Sequence, residues 1–130
     1  MAPPPIPEDI RRFVLTSIAS VPHLEALLLL RAHEGEFWRD ARLAQRLYIS
    51  EKTAHLLMTE LCRSGMIVPR QQDGAFSYRY QPTSASLRAT IDTLAELYRR
   101  QLVDITHLIH SKLDRKAQQF ADAFKWRKDS

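Results

Sequence analysis

The stretch Leu43-Ala-Gln-Arg-Leu-Tyr-Ile-Ser-Glu-Lys-Thr-Ala-His-Leu-Leu-Met-Thr-Glu-Leu-Cys-Arg-Ser-Gly-Met-Ile67 decides how this chain folds. It holds two short helical patterns separated by a tight corner. Leu43, Ala44 and Leu47 make the inward face of the first; Ala54, Leu57, Met58 and Leu61 make that of the second. Tyr48 and Ile49 form the turn, and Ser50 supplies the side-chain oxygen that caps the next helix. Ala44 and Ala54 are small where the two helices cross closely, and Ile49 plugs the corner between them. Gly65 then offers the left-handed residue that ends a helix.

Working outward, the chain before this pair reads as a corner at Gly35, a minimal strand Phe37-Trp38, and Asp40 as the cap of a helix from Ala41 to Leu47. Upstream, Ser20 and Pro22 open a helix that runs to about His33. Leu24, Leu27, Leu28 and Leu30 make it apolar nearly all round, as suits a central core helix. An earlier helix begins at Glu8, with Ile10, Phe13, Val14, Ser17 and Ile18 on one face and two acids in its first turn. Pro3, Pro4, Pro5 and Pro7 make an extended lead-in. Downstream, Met66 to Arg70 reads as a strand that Pro69 confines to an edge. Gln71-Gln72-Asp73-Gly74 is the turn, and Phe76 to Tyr80 alternates aromatic with polar as the return strand.

Helix, short strand, helix, corner, helix, glycine, strand, Asp-Gly turn, strand is the order of a winged helix-turn-helix. The spacing of Leu43-Ala44, Leu47, Ile49-Ser50, Ala54, Leu57, Leu61, Gly65 and Ile67 resembles that of MarR-like and wider winged-helix regulators. The resemblance covers residues 24–81, and the following helix by position only. It implies a mainly α fold with a small β-hairpin wing, a DNA-docking recognition helix over 50–64 and a long C-terminal helix. Carried onto this chain, it makes Lys52, Thr53 and His55 base readers, with Thr59 on the same outer face. It places Ser50, Arg42 and Arg46 on phosphates, and the wing residues Arg70, Gln71, Gln72 and Arg79 along the backbone or minor groove. Winged helices also serve as protein-binding modules, so binding of another regulatory protein without DNA is the alternative.

After a cap at Thr83 or Ser84, the positions Leu87, Ile91, Leu94, Tyr98, Leu102, Ile105, Ile109 and Leu113 make one apolar stripe. No Pro or Gly interrupts it, so a single continuous helix of more than twenty residues is expected. Such a stripe exceeds what one small domain can bury, which points to a homodimer. Similar regulators pair through helices outside the winged domain. The expected organisation is thus an extended segment 1–7, a helix and winged domain over 8–81, and a dimerisation segment over 82–130. The tail Phe120 to Arg127 mixes aromatics with cations and is a possible surface for a protein partner.

Composition narrows the rest. The longest apolar run, Ala26 to Leu30, is five residues, far short of a membrane span, and the N-terminus lacks the features of a secretion signal. With one cysteine, Cys62, no internal disulfide forms, so a cytoplasmic setting is expected. The net charge of +4 is unevenly placed. Residues 1–80 carry ten Lys/Arg against nine Asp/Glu, and residues 81–130 carry nine against six. The winged segment is therefore close to neutral, with Glu51 and Glu60 on the recognition helix opposing phosphate. His107 and His110 with Asp104 and Asp114 read as an ordinary polar helix face rather than a metal site. No phosphate loop, nucleophile motif or carboxylate pair is present, so neither catalysis nor a cofactor is expected. A ligand pocket lined by Tyr98, Trp38 and leucines, between the dimer helices and the winged domains, is compatible with DNA binding.

Overall fold

The computed structural model describes residues 4–128 of the chain, with side chains described as far as Ala123. Eight elements follow one another: α1 (Glu8–Ser17), α2 (Val21–Ala32), α3 (Asp40–Leu47), α4 (Glu51–Arg63), β1 (Ile67–Gln72), β2 (Ala75–Tyr80), α5 (Ala85–Arg100) and α6 (Leu102–Lys128). The expected mainly α architecture with one small hairpin is what forms.

Local chemistry sets most of the boundaries. Ser20, Ser50 and Ser84 each stand in extended conformation before a helix, and each side chain accepts from a backbone N–H three residues on. Gly65 ends α4 at φ +77, and its α-carbon faces Thr83, whose side chain lies 3.0 Å from where a β-carbon would sit. A substitution there meets both the strained backbone and that contact. The hairpin closes at Asp73 (φ 55) and Gly74 (φ 78), a two-residue turn whose positive φ pair matches the twist of the strands. Gln71 and Gln72 belong to β1 and not to the turn, pairing with Phe76 and Ala75. Asp40 is not a cap: Arg39 holds the N-cap position with no side-chain hydrogen bond, and Asp40 is the first helical residue.

One apolar cluster runs through the whole described chain. The core helix α2 contributes Leu24, Ala26, Leu27 and Leu30; Ile10, Val14 and Ile18 join it from the N-terminal helix and its end. Leu43, Leu57, Met58 and Leu61 come from the helical pair, and Trp38, Tyr78 and Tyr80 from the hairpin side. Taken together, α1 and α2 are apolar, but a bend of 108° separates them, and no single described helix is long and apolar enough to cross a membrane.

The C-terminal stripe departs from expectation. It is not one helix: α5 ends at Arg100, Gln101 takes φ −128 and ψ 51, and α6 starts at Leu102. Neither proline nor glycine marks this break. Gln101 is buried, and its amide, oriented with the nitrogen toward acceptors, donates to the Pro4 carbonyl at 3.2 Å and to Asp104 Oδ2 at 3.1 Å. The break lets α6 pack against both α1 and α5. Ile91, Leu94, Tyr98, Ile105 and Ile109 are consequently buried in the chain's own core, and Leu87 is partly so. Only Leu102 and Leu113 of the stripe stay exposed. Burying Ile105 and Ile109 stabilises the bent form by several kcal/mol at about 1.5–3 each, which outweighs an interrupted helical turn.

Tyr98 ties two helices together. It is buried, and its hydroxyl donates to Glu25 Oε1 at 2.6 Å, tying α5 to α2. Burial first, and the Glu25 carboxylate second, push this phenol up to about 12. The neutral phenol is thus the form the fold favours, and its contribution is complete below the ordinary tyrosine value. Tyr98 should make stability fall as pH rises from about 10 to about 12, by about 2 kcal/mol, and Tyr78 and Tyr80, also pushed up by burial, add to the fall. Denaturant titrations across that range check this, and Tyr98→Phe should remove that share of the dependence.

Candidate nucleic-acid interface

The exposed side of α4 is built from its first turn. Ser50 Oγ accepts from the Thr53 N–H at 3.0 Å and donates to Thr53 Oγ1 at 2.9 Å, so cap and first turn are mutually fixed. Glu51, Lys52, Thr53, His55 and Leu56 are exposed, while Ala54, Leu57 and Met58 face the core. Thr59 is half-buried and its hydroxyl donates to the His55 carbonyl at 2.8 Å. His55 Nδ1 lies 2.9 Å from Asp40 Oδ2 across the helical pair. A carboxylate only accepts, so Nδ1 carries the proton, and Nε2 is the ring nitrogen left to face outward. Glu60 does not oppose a ligand on this face. It turns back to His23, with Oε2 and Nε2 2.8 Å apart, and ties α4 to α2.

The cations of α3 and the hairpin are organised by two adjacent rings. Trp38 pairs with Tyr78 through both backbone hydrogen bonds, at 2.7 and 2.8 Å, adding a single bridge to the outside of the hairpin. Arg42 lies over the Trp38 ring at 3.7 Å and Arg46 at 5.6 Å. On the hairpin side, Arg70 lies over the Phe37 ring at 3.8 Å and Arg79 at 5.0 Å. Phe37 and Trp38 thus hold four guanidinium groups between them, each attracted by the negative face of a ring. Two of the four have polar partners as well. Arg42 reaches Glu36 at 3.2 Å, and Arg79 donates twice to Gln81 Oε1. Gln71 and Gln72 are exposed along β1, beside an acidic tip at Asp73.

No protein-family profile matches the chain, and no curated protein matches it in sequence. Solved structures do. HlyU from Vibrio cholerae is 22% identical with a TM-score of 0.53, over 69% of this chain and 92% of that one. A MarR family protein from Bacillus stearothermophilus is 17% identical with a TM-score of 0.52, over 88% and 84%. A mutant of S. aureus MepR bound to oligodeoxyribonucleotide is 15% identical with a TM-score of 0.54, over 94% and 87%. The chain has the winged helix-turn-helix fold.

In the terms of that fold, α3 and α4 are the helix-turn-helix, α4 is the recognition helix, and β1 with β2 is the wing. The structure brings Lys52, Thr53, His55 and Thr59 to the exposed side of the recognition helix, around one shallow depression. Arg42 and Arg46 stand on the preceding helix, and Arg70 and Arg79 on the wing. Two features of the interface were not read from the sequence. Tyr48 sits in the turn at φ 56 and is 96% exposed. A non-glycine residue in left-handed conformation is uncommon, and the corner Tyr48-Ile49 carried no glycine to announce it. Phe37 was read only as half of a minimal strand. Its role as a platform depends on Arg70 and Arg79, more than thirty residues away in sequence.

Proposed function

We propose that this protein is a transcriptional regulator that binds double-stranded DNA, with α4 in the major groove and the wing on the backbone or minor groove. The observation that supports it most is the set of four arginines held on Phe37 and Trp38, together with Lys52 on the recognition helix. Guanidinium groups ordered on aromatic faces suit phosphate contacts, since their forks are oriented before the ligand arrives. The turning of Glu60 toward His23 removes one of the acids that made the segment look neutral. The likeness to a MepR mutant bound to oligodeoxyribonucleotide supports the same reading. Ser50, Arg42 and Arg46 hold phosphates in this reading, Lys52, Thr53 and His55 read bases, and Arg70, Gln71, Gln72 and Arg79 follow the backbone.

The experiment is selection of bound duplexes from a random pool. Enrichment of a defined sequence is the expected result, with retention that falls steeply as salt rises. Absence of retention even at low salt overturns the DNA reading and favours a protein-binding module.

The proposed regulator acts as a homodimer, paired through the outer face of α6. Leu102 (52% exposed), Leu113 and Phe120 (76% exposed) lie within about 20° of one another on that helix at 100° per residue. The core leaves this face uncovered, and it continues toward Arg127, whose side chain lies outside those described. A two-fold dimer presents two recognition helices, so the enriched site is expected to be palindromic. The double variant Leu102→Glu/Leu113→Glu should sediment as a monomer at micromolar concentration while keeping its helical spectrum. A monomeric mass for the unaltered chain rules the pairing out.

A further inference from the structure

Leu56 is 54% exposed at the middle of the outward face of the recognition helix, where a polar residue would be the ordinary choice. With Lys52, Thr53, His55 and Thr59 it lines a shallow depression of about 370 Å³. Several of the polar atoms around that depression already have partners within the protein. Thr53 Oγ1 accepts from Ser50, the Thr59 hydroxyl donates to the His55 carbonyl, and His55 Nδ1 is held by Asp40. Beside the Lys52 ammonium and the outward His55 Nε2, its one large apolar side chain is that of Leu56.

The major groove presents one apolar group, the C5-methyl of thymine; every other base-edge position there is a donor, an acceptor or a bare ring carbon. Lys52 lines the depression and supplies a cation for phosphate beside it, and Arg42 and Arg46 stand on the preceding helix. We propose that this depression receives a thymine methyl, with Leu56 as the specificity-determining residue. The inference rests on the DNA-binding reading and deepens it. The aliphatic side chain that looks misplaced among charged neighbours is the part of the helix that separates thymine from cytosine.

The test uses the full chain and the duplex enriched from the random pool, resynthesised with uracil in place of thymine one position at a time. Uracil differs from thymine only by the C5-methyl. At one position, or one symmetric pair, the change should weaken binding by about fourfold per methyl lost from an apolar contact. Leu56→Ala should bind both duplexes alike at that position, with an unaltered thermal melt because the side chain is half exposed. An enriched duplex whose thymines can all be replaced without effect overturns this inference and leaves DNA binding standing. So does discrimination that persists in Leu56→Ala, and so does an enriched duplex without thymine. Failure to enrich any duplex removes the DNA reading and this inference with it.

Discussion

Trp38→Ala should lower the free energy of unfolding by about 3–5 kcal/mol, the largest loss expected from any single substitution at the interface. The ring is fully buried although it sits at the edge of the helix-turn-helix, because Arg42 covers its face and Tyr78 pairs with its backbone. Truncation opens a cavity and leaves two arginines without a platform. Trp38→Phe should cost much less. Its ring is smaller, but the indole N–H has no hydrogen-bond partner among the described residues, and phenylalanine removes that unsatisfied donor. Denaturant titrations followed by circular dichroism distinguish the two variants. Equal losses would mean that a phenyl ring recovers none of the packing and that removing the orphaned donor brings no gain.

The second large effect concerns the same ring from the outside. Arg42→Ala/Arg46→Ala should reduce the slope of log affinity against log salt by about 2, one for each phosphate no longer neutralised. Binding should weaken for all duplex sequences alike, because phosphate contacts position the protein without reading bases. Removing Arg42 also takes one partner from Glu36, hydrogen-bonded to it at 3.2 Å, and leaves that acid with His33 Nδ1 at 3.1 Å. Lys112→Ala, on α6, is the control that should leave the slope unchanged. An unaltered slope in the double variant would show that these arginines serve the fold and not the nucleic acid.

Much of the fold was legible because local chemistry and hydrophobic period agreed. Ser20 and Ser50 were read as caps from side-chain type alone, and both accept the expected N–H. Asp73-Gly74 and Gly65 announced their corners because their left-handed backbone favours those residue types. The break at Gln101 was not legible for the opposite reason. Helix propensity is unbroken from Ala85 onward, and the bend goes with the packing of α6 against α1 and the burial of Ile105 and Ile109. That is tertiary packing overriding local preference. The same limit applies at the interface. Residue types named the cations, but Glu60 was counted as an outward acid because its partner His23 lies 37 residues back. Asp40, read as a cap, instead spans the helical pair to His55. A single sequence shows which groups are present on a helix; it does not show which of them are already satisfied.

The satisfied amide of Gln101 has a consequence for distance. Because α6 leaves α5 at that residue and settles on α1, its exposed face is held at one fixed attitude to the recognition helix of the same chain. In a pair joined through α6, that attitude becomes a ruler. In the proposed complex it would set how many base pairs separate the two readings of a palindrome, and a change at residue 101 would alter that spacing while leaving the proposed DNA-facing residues in place.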